Sequence, residues 1–517
     1  MGTPQTPPFL LERNKMQQVS ITLSPAQSTT AVNPYLFGSF VEHMGRCVYG
    51  GVYDPDHSLS DDEGFREDVI ALTKELGVTL VRYPGRNFVS GYRWEDGVGD
   101  KTSRPTRLDL AWRSIETNEF GLNEFMSWAT KVGVAPMMAV NLGTRGVMDA
   151  TDLVEYTNYP KGTALSDLRK THGAEQPHDI KMWCLGNELD GPWQLGHKSA
   201  DDYGKLARET AKAIRLIDPD VRLVACGSSF EEMPTFGEWE TTVLQHTFDH
   251  VEMISMHAYY EKFDDDTLSF LASSARMDRF IDGVIARADE VAKSKGSEKR
   301  INISFDEWNV WYQKRFQGVE NLTFQKAPRL IEDEYTQEDA VVVGSLLMSL
   351  IKHSERVEVA CMAQLANVIG PIRTEPGAAA WRQTTFYPFA LTAANSEGTL
   401  MDLSIVCRSQ DSELFADLEM ADAVAILNTQ GDEITLFLLS RELEDQAELE
   451  IDTASLGALS LIEALHLGGS ELNQTNDAEN PDRVQPKPLN DILVSHNKVL
   501  MTLPPVSWSM VRFRIND

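Results

Sequence analysis

Short apolar runs typical of buried strands alternate eight times with amphipathic, charge-rich stretches between residues 31 and 397. The stretches between them, such as 203–217 and 277–295, repeat their apolar residues at helical spacing. Eight strand–helix units in succession favour a closed (β/α)₈ barrel, a TIM barrel, over an open doubly wound sheet. No glycine fingerprint of a nucleotide-binding fold follows the first run. The predicted strands span residues 36–42, 78–83, 135–141, 180–187, 221–226, 251–257, 301–307 and 357–364.

The pattern changes after residue 398, where short strand-like segments follow one another without long amphipathic helices between them. This pattern is typical of an all-β sandwich of the jelly-roll kind. Residues 18–23 also alternate like a strand, and we expect them to join that sandwich. The sequence therefore predicts a flexible lead-in over 1–17, a catalytic barrel over 31–397, and a sandwich built from 18–30 and 398–517.

Composition excludes several classes of partner. A formal net charge of −31 argues against nucleic acid and anionic membrane surfaces, which both require clustered Lys and Arg. No apolar run is long enough to cross a membrane, and the N-terminus lacks the pattern of a cleaved signal peptide, so we expect a cytoplasmic protein. The five cysteines show no CxxC or CxxH spacing that would indicate a structural zinc site, and no metal or other cofactor is expected.

Two predicted strands end in a glutamate. Ile180-Lys-Met-Trp-Cys-Leu-Gly-Asn187-Glu188 closes the fourth strand, and Ile301-Asn-Ile-Ser-Phe-Asp306-Glu307-Trp308 closes the seventh. Because strand ends converge on one pocket in such a barrel, Glu188 and Glu307 should face each other there. Two carboxylates are the minimum equipment for glycoside hydrolysis: a gap of about 5 Å predicts retention, and one nearer 8 Å predicts inversion.

A longer series of motifs identifies a resemblance. The chain resembles the α-L-arabinofuranosidases of glycoside hydrolase family 51, and the match covers nearly the whole chain. The motifs that carry the resemblance include Phe40-Val-Glu42-His43, Arg82-Tyr-Pro-Gly-Arg-Asn87-Phe, Trp94-Glu-Asp-Gly, Leu110-Ala-Trp112, Trp183-Cys-Leu-Gly-Asn187-Glu188, His257-Ala-Tyr259-Tyr260, Asp306-Glu307-Trp308-Asn309-Val-Trp311 and Ala363-Gln364-Leu-Ala-Asn367.

The resemblance implies that Glu188 is the general acid/base and Glu307 the nucleophile. A negative Glu307 would raise the pKa of Glu188 and keep it protonated. By the same resemblance, Asn187 would hydrogen-bond the sugar 2-OH, Tyr259 would orient the nucleophile, and Arg82 would support the nucleophile. Glu42, Asn87 and Gln364 would bind the furanose hydroxyl groups. The next sugar would stack on Trp112 and Trp311.

Three further residues near these motifs carry expectations. The family usually has two glycines before the asparagine of its second-strand motif, whereas this chain has Gly85-Arg86, which puts the fine substrate preference in question. His257 is expected to be a hydrogen-bonding wall residue, because no metal-binding spacing accompanies it. Strand alternation predicts that Asp306 points away from the pocket.

Three functions stay open at this point. The leading hypothesis is a retaining exo-acting α-L-arabinofuranosidase that releases terminal arabinose from arabinoxylan or arabinan oligosaccharides. The same barrel could serve an endo-β-glycanase or an exo-enzyme for another furanose, and an extended cleft rather than a blind pocket would favour the endo-enzyme. A non-catalytic carbohydrate-binding protein is the third, although binding alone needs no pair of glutamates. The resemblance also implies a homo-oligomer, often a hexamer.

Overall fold

A closed barrel of parallel strands is the main feature of the computed structural model, which describes residues 17–24 and 30–516. Residues 1–16 of the predicted lead-in lie outside the described residues. The barrel confirms the predicted fold class, and each of its eight strands overlaps one predicted run. We label the strand Gln17–Leu23 β1, and the barrel strands are β2 (Gly38–Phe40), β3 (Leu80–Tyr83), β4 (Ala135–Ala139), β5 (Met182–Cys184), β6 (Arg222–Ala225), β7 (Met253–Tyr260), β8 (Asn302–Val310) and β9 (Val357–Met362).

Amphipathic helices surround the barrel and begin and end at residues suited to those positions. The first ends at Gly77, whose left-handed φ of 79° suits glycine, and Ser199 caps the fifth by accepting a hydrogen bond from the Asp202 amide. The helices are α1 (Glu67–Leu76), α2 (Leu122–Val132), α3 (Val147–Asn158), α4 (Ala164–Thr171), α5 (Ala200–Ile217), α6 (Glu238–Thr247), α7 (Thr267–Leu271), α8 (Ser273–Ser294), α9 (Gln337–Lys352) and α10 (Phe386–Ala394). No helix within 17–24 and 30–516 is long and apolar enough to cross a membrane.

Two facing sheets form the C-terminal sandwich. One sheet has the order β11-β1-β14-β18-β17, so the N-terminal strand β1 lies inside it, parallel to β14 and antiparallel to β11. The other has the order β10-β12-β13-β19-β15-β16. Their bounds are β10 (Gly398–Leu400), β11 (Leu403–Val406), β12 (Ala421–Asn428), β13 (Glu433–Ser440), β14 (Ala447–Asp452), β15 (Ala458–Gly468), β16 (Lys487–Pro488), β17 (Ile492–Val494), β18 (Lys498–Leu503) and β19 (Ser507–Asn516).

Helix α9 joins the barrel to the sandwich. Nearly all of its residues are buried, because one side packs on the barrel and the other on the second sheet. Gly344 of α9 lies under the indole of Trp508, where a Cβ atom would come within 2.5 Å of the ring. The sandwich therefore packs on the helices that surround the barrel.

Candidate active site

Glu188 lies on a tight turn that follows β5. Gly186 (φ 102°) and Glu188 (φ 45°) are both left-handed, a conformation that costs a non-glycine residue about 1–3 kcal/mol. The turn aims the Glu188 carboxylate into the barrel mouth. There its Oε1 lies 2.9 Å from His257 Nδ1, and its Oε2 accepts a 2.8 Å hydrogen bond from Trp193 Nε1. Both carboxylate oxygens are therefore held in place.

Glu307 lies near the end of β8 and is completely buried. Its Oε1 accepts a 2.9 Å hydrogen bond from Arg82 Nη1, and its Oε2 accepts one of 2.8 Å from the Tyr259 hydroxyl. The contact with Tyr259 is the one that the family resemblance implies. With one donor on each oxygen, the carboxylate has a fixed orientation toward the barrel mouth.

Asp306 does not point away from the site as strand alternation predicts. The pairing of β8 with β7 shifts register between Ser304 and Glu307, so that two consecutive side chains face inward. Asp306 Oδ1 lies 3.1 Å from His257 Nε2, and Asp306 Oδ2 lies 3.4 Å from Arg82 Nε. Asp306 therefore supports the two residues that contact the catalytic pair.

The two glutamates are close together. One carboxylate oxygen from each, together with a ring nitrogen of His257, lies within 4.8 Å of the others. This separation matches the gap of about 5 Å that leaves no room for a water molecule between the carboxyls, rather than the wider gap of inverting enzymes.

The imidazole of His257 dominates the electrostatics of the pair. Burial would lower the pKa of His257, but the charge of Glu307 and the hydrogen bonds with Asp306 and Glu188 raise it to about 10. Burial raises the pKa of Glu188, but the hydrogen bond and charge of His257 outweigh it, so this pKa is lowered. Burial and the charge of Glu188 raise the pKa of Glu307 against the opposing charge of His257. The expectation of a raised Glu188 pKa is therefore wrong, because a protonated His257 hydrogen-bonds to that carboxylate.

A second set of polar groups surrounds Glu42, which is fully buried below the barrel mouth. Its carboxylate accepts hydrogen bonds from Trp112 Nε1 (2.9 Å), Gln364 Nε2 (3.0 Å) and the backbone N–H of Phe88 (3.2 Å). Arg86 Nε also donates to Glu42, at 3.2 Å. The structure thus brings together residues from the ends of the first, second and last barrel strands.

Three amide side chains in this region offer free polar atoms. Asn187 Oδ1 accepts a 2.8 Å hydrogen bond from Arg82 Nη2, which fixes the side chain. Asn187 Nδ2, Asn87 Oδ1 and Gln364 Oε1 are buried and find no hydrogen-bond partner among the described residues. Because an unsatisfied buried polar atom costs about 1–3 kcal/mol, this arrangement suits a ligand rich in hydroxyl groups.

Aromatic side chains line a cavity of about 680 Å³ above these groups. Trp112, on the loop between the short strands Arg107–Asp109 and Ser114–Glu116, and Trp311, after β8, both contribute to its wall. Sequence reasoning did not single out Trp193, which lies beside Glu188 and stacks on Phe230 with 5.9 Å between ring centroids. The position of a tryptophan only five residues after a catalytic candidate is the sequence signal that could have identified it.

The ligand atoms of Glu188, His257 and Glu307 could by type and spacing hold a metal ion. The charge distribution argues against this. Arg82 donates directly to Glu307, and Arg86 Nη1 lies 3.7 Å from Glu307 Oε2. A cation would have to displace the hydrogen bond from Arg82 and stand beside two guanidinium groups.

Comparison with known proteins places the chain in a family. Residues 72–276 match the protein-family model described as the α-L-arabinofuranosidase 1 domain. Residues 306–507 match the model described as the α-L-arabinofuranosidase C-terminal domain. An intracellular exo-α-(1→5)-L-arabinofuranosidase from Streptomyces lividans is 51% identical over 500 residues, which cover 96% of this chain and 75% of the relative. An exo-α-(1→6)-L-arabinofuranosidase from Bifidobacterium longum is 50% identical, over 93% of this chain and 95% of the relative.

A solved structure gives the same result. A family 51 α-L-arabinofuranosidase from Bifidobacterium longum superposes with a TM-score of 0.92 at 45% identity, over 96% of this chain and 100% of that one. The similarity therefore extends through the barrel and the sandwich. The chain belongs to glycoside hydrolase family 51, and it is an exo-α-L-arabinofuranosidase.

Proposed function

We propose that the enzyme works with retention of configuration, with Glu307 as the nucleophile and Glu188 as the general acid/base. The observation that carries the proposal is the separation of the two carboxylates, which have oxygens within 4.8 Å of each other. Their different partners support the division of roles. Glu307 is buried and fixed by Arg82 and Tyr259, whereas Glu188 lines the open cavity where a leaving group would lie.

In the first step a Glu307 oxygen attacks the anomeric carbon, and the glycosidic C–O bond breaks. The departing oxygen takes a proton from Glu188, so an alcohol leaves and a glycosyl ester of Glu307 remains. His257 Nδ1, at 2.9 Å from Glu188 Oε1, holds one oxygen of the acid in position. Trp193 keeps the other oxygen of Glu188 oriented.

In the second step Glu188, now a carboxylate, takes a proton from water. The resulting hydroxide oxygen bonds to the anomeric carbon, and the ester to Glu307 breaks, which returns both carboxyl groups to their starting states. Glu42, Asn187, Glu307 and Gln364 form what we call the glycone pocket. In it, Asn187 Nδ2 would donate to the sugar 2-OH, a contact expected to strengthen in the transition state.

The substrates proposed are arabinan and arabinoxylan oligosaccharides that enter a cytoplasmic compartment. The name of the Streptomyces relative, an intracellular (1→5)-specific enzyme, supports this, whereas the Bifidobacterium relative is named for (1→6) linkages. Because relatives of equal similarity carry different linkage names, a panel of (1→2)-, (1→3)-, (1→5)- and (1→6)-linked arabinosides is required to assign the linkage. The homo-oligomer, a hexamer by family resemblance, is a further proposal, which light scattering of the purified chain would test.

The test of the mechanism uses 4-nitrophenyl α-L-arabinofuranoside with the wild type, Glu307→Ala and Glu188→Ala. Proton NMR should show the α-anomer of arabinose as the first product of the wild type. Added azide should restore activity to Glu188→Ala and give an arabinofuranosyl azide of retained configuration. It should restore activity to Glu307→Ala and give the arabinofuranosyl azide of inverted configuration. The control Glu444→Ala, an exposed glutamate of the sandwich, should retain wild-type activity. A β-anomer as first product would refute retention, and hydrolysis of internal bonds in xylan or β-glucan would favour the endo-enzyme.

A further inference from the structure

The side chain of Arg86 lies inside the glycone pocket. The residue is only 3% exposed, and its guanidinium makes contacts on all sides. Arg86 Nε donates to Glu42 Oε2 at 3.2 Å, and Arg86 Nη1 donates to the Tyr259 hydroxyl at 2.7 Å. The same Nη1 lies 3.7 Å from Glu307 Oε2. One side chain therefore contacts three groups that the proposed function assigns to the bound sugar and the nucleophile.

Aromatic rings enclose the same guanidinium. Its central carbon lies 5.2 Å from the ring centroid of Trp112, and 5.5 Å from those of Tyr259 and Trp311. These distances are those of favourable cation–π contacts. The planar cation thus lies against the aromatic surfaces that flank the pocket, and it donates to acceptors that would otherwise be free for sugar hydroxyl groups.

Arg86 separates the cavity from the nucleophile. It lines the floor of the 680 Å³ cavity together with Glu188, whereas Glu42, Glu307 and Gln364 lie beneath it and are each 0% exposed. A nucleophile must reach the anomeric carbon to within about 3–3.5 Å before bond formation. A sugar that enters from the cavity cannot reach Glu307 while the guanidinium remains in this position.

The backbone explains why the side chain enters the pocket. Gly85 has a φ of 140°, and a Cβ atom there would come within 2.3 Å of Glu42 Cγ, so the chain passes directly against the buried carboxylate. Arg86 follows immediately, and its side chain therefore begins at the edge of the pocket. A glycine at position 86, which the family usually has, would leave this space unfilled.

We propose that Arg86 is a gate of the glycone pocket: its guanidinium occupies the pocket, and a furanoside must displace it. This inference rests on the proposed function of the same site. A protein whose competent state is a minor one binds with an affinity reduced by the population of that state. With the open state at or below about 10%, the apparent affinity for a neutral furanoside is reduced about tenfold or more.

The test compares the wild type with Arg86→Gly on 4-nitrophenyl α-L-arabinofuranoside. The variant should show a KM lower by about tenfold or more and a kcat within about twofold, because only the binding step is relieved. Arg93→Gly is the matched control, since Arg93 is an exposed arginine in the same segment, and its KM should equal that of the wild type. An unchanged or raised KM in Arg86→Gly would overturn the gate.

A binding measurement separates failure of the gate from failure of the proposed function. Titration calorimetry with L-arabinose should give an affinity about tenfold or more tighter for Arg86→Gly than for the wild type, whether or not the proteins hydrolyse the arabinoside. Loss of all hydrolysis with this difference intact would refute the proposed function alone. A crystal structure of the wild type with arabinose should show Arg86 moved away from Glu42, and a guanidinium still bonded to Glu42 beside the sugar would refute the gate.

Discussion

The imidazole of His257 acts on both catalytic carboxylates at once, so replacing it should move both sides of the pH–activity profile. His257→Gln removes the charge but keeps a side chain able to donate to Glu188. The Nδ1 atom lies 2.9 Å from Glu188 Oε1 and 3.6 Å from Glu307 Oε1. At an effective dielectric constant of about 20 these distances correspond to about 6 and about 5 kcal/mol.

The sign of the shift follows from the charge. His257, with a pKa raised to about 10, is protonated throughout the working pH range and lowers the pKa of Glu188 and of Glu307. Its removal raises both values. At about 1.4 kcal/mol per pH unit the bare Coulomb figures would give more than three units, but the retained hydrogen bond and the positive Arg82 and Arg86 reduce this. We expect the apparent pKa of the acidic limb and that of the basic limb each to rise by at least about one unit.

The assay is kcat/KM for 4-nitrophenyl α-L-arabinofuranoside between about pH 3 and pH 10. In the wild type the acidic limb should report ionisation of Glu307 and the basic limb loss of the proton that Glu188 delivers. His246→Gln, which loses a contact with Asp201 away from the site, should leave both limbs unmoved. A His257→Gln profile that is unmoved, or moved to lower pH, would refute the electrostatic reasoning.

Stability gives an independent check on the charge of His257. Because its folded pKa of about 10 exceeds the ordinary value of 6.5, its contribution is fully present below about pH 6.5 and is lost as pH rises through about 10. The wild type should therefore lose Tm between these pH values, and His257→Gln should lose less. An equal alkaline loss of Tm in the two proteins would contradict a charged His257.

Three other substitutions test separate parts of the structure. Trp193→Phe removes the 2.8 Å hydrogen bond to Glu188, so the basic limb of kcat/KM should move to higher pH by less than one unit. Asn187→Ala should lower kcat/KM by about 10²- to 10³-fold, because a contact that strengthens in the transition state is worth several kcal/mol. Gly344→Ala should destabilise the fold by about 1–3 kcal/mol, measured by urea unfolding, since the added Cβ would clash with the indole of Trp508.

Each of these has a contrary result. Trp193→Phe keeps an aromatic ring to stack on Phe230, so an unmoved basic limb would show that the hydrogen bond does not tune Glu188. A raised KM with unchanged kcat in Asn187→Ala would indicate ground-state binding only. For the packing argument, Gly146→Ala is the control: its Cβ would meet nothing within 4 Å, and only the loss of an N-cap glycine, less than about 1 kcal/mol, is expected. Gly344→Ala with wild-type stability would refute the clash.

The fold could be predicted from the sequence because its signal is periodic. Eight buried strands must read as apolar runs, and the helices between them must show one apolar face, whatever the loops contain. Glu188 and Glu307 could be placed in the barrel mouth for a related reason. Each follows an apolar run directly, and parallel strands deliver their C-terminal residues to the same end of a barrel.

Details that depend on spacing in three dimensions could not be predicted. The register shift in β8 turns Asp306 inward, and no residue pattern marks it, so alternation gave the wrong direction. The charge of His257 depends on three carboxylates, Glu188 after β5 and the neighbours Asp306 and Glu307 on β8, and their distances decide the sign of the Glu188 pKa shift. Arg86 was visible as a departure from the family motif, but only the structure shows where its guanidinium lies.

Displacement of Arg86 would also restore the protonation state that the mechanism requires. The charges of Arg86 and His257 together lower the pKa of Glu188 and oppose the rise in the pKa of Glu307. A sugar that expels the guanidinium removes this charge, so the pKa of Glu188 should rise when the sugar enters, and the acid should be protonated when it is needed. Because kcat/KM reports the free enzyme and kcat the complex, the basic limb of kcat should lie at higher pH than that of kcat/KM in the wild type. Arg86→Gly should bring the two limbs together, and a gap that persists in this variant would show that the charge of Arg86 does not control the acid.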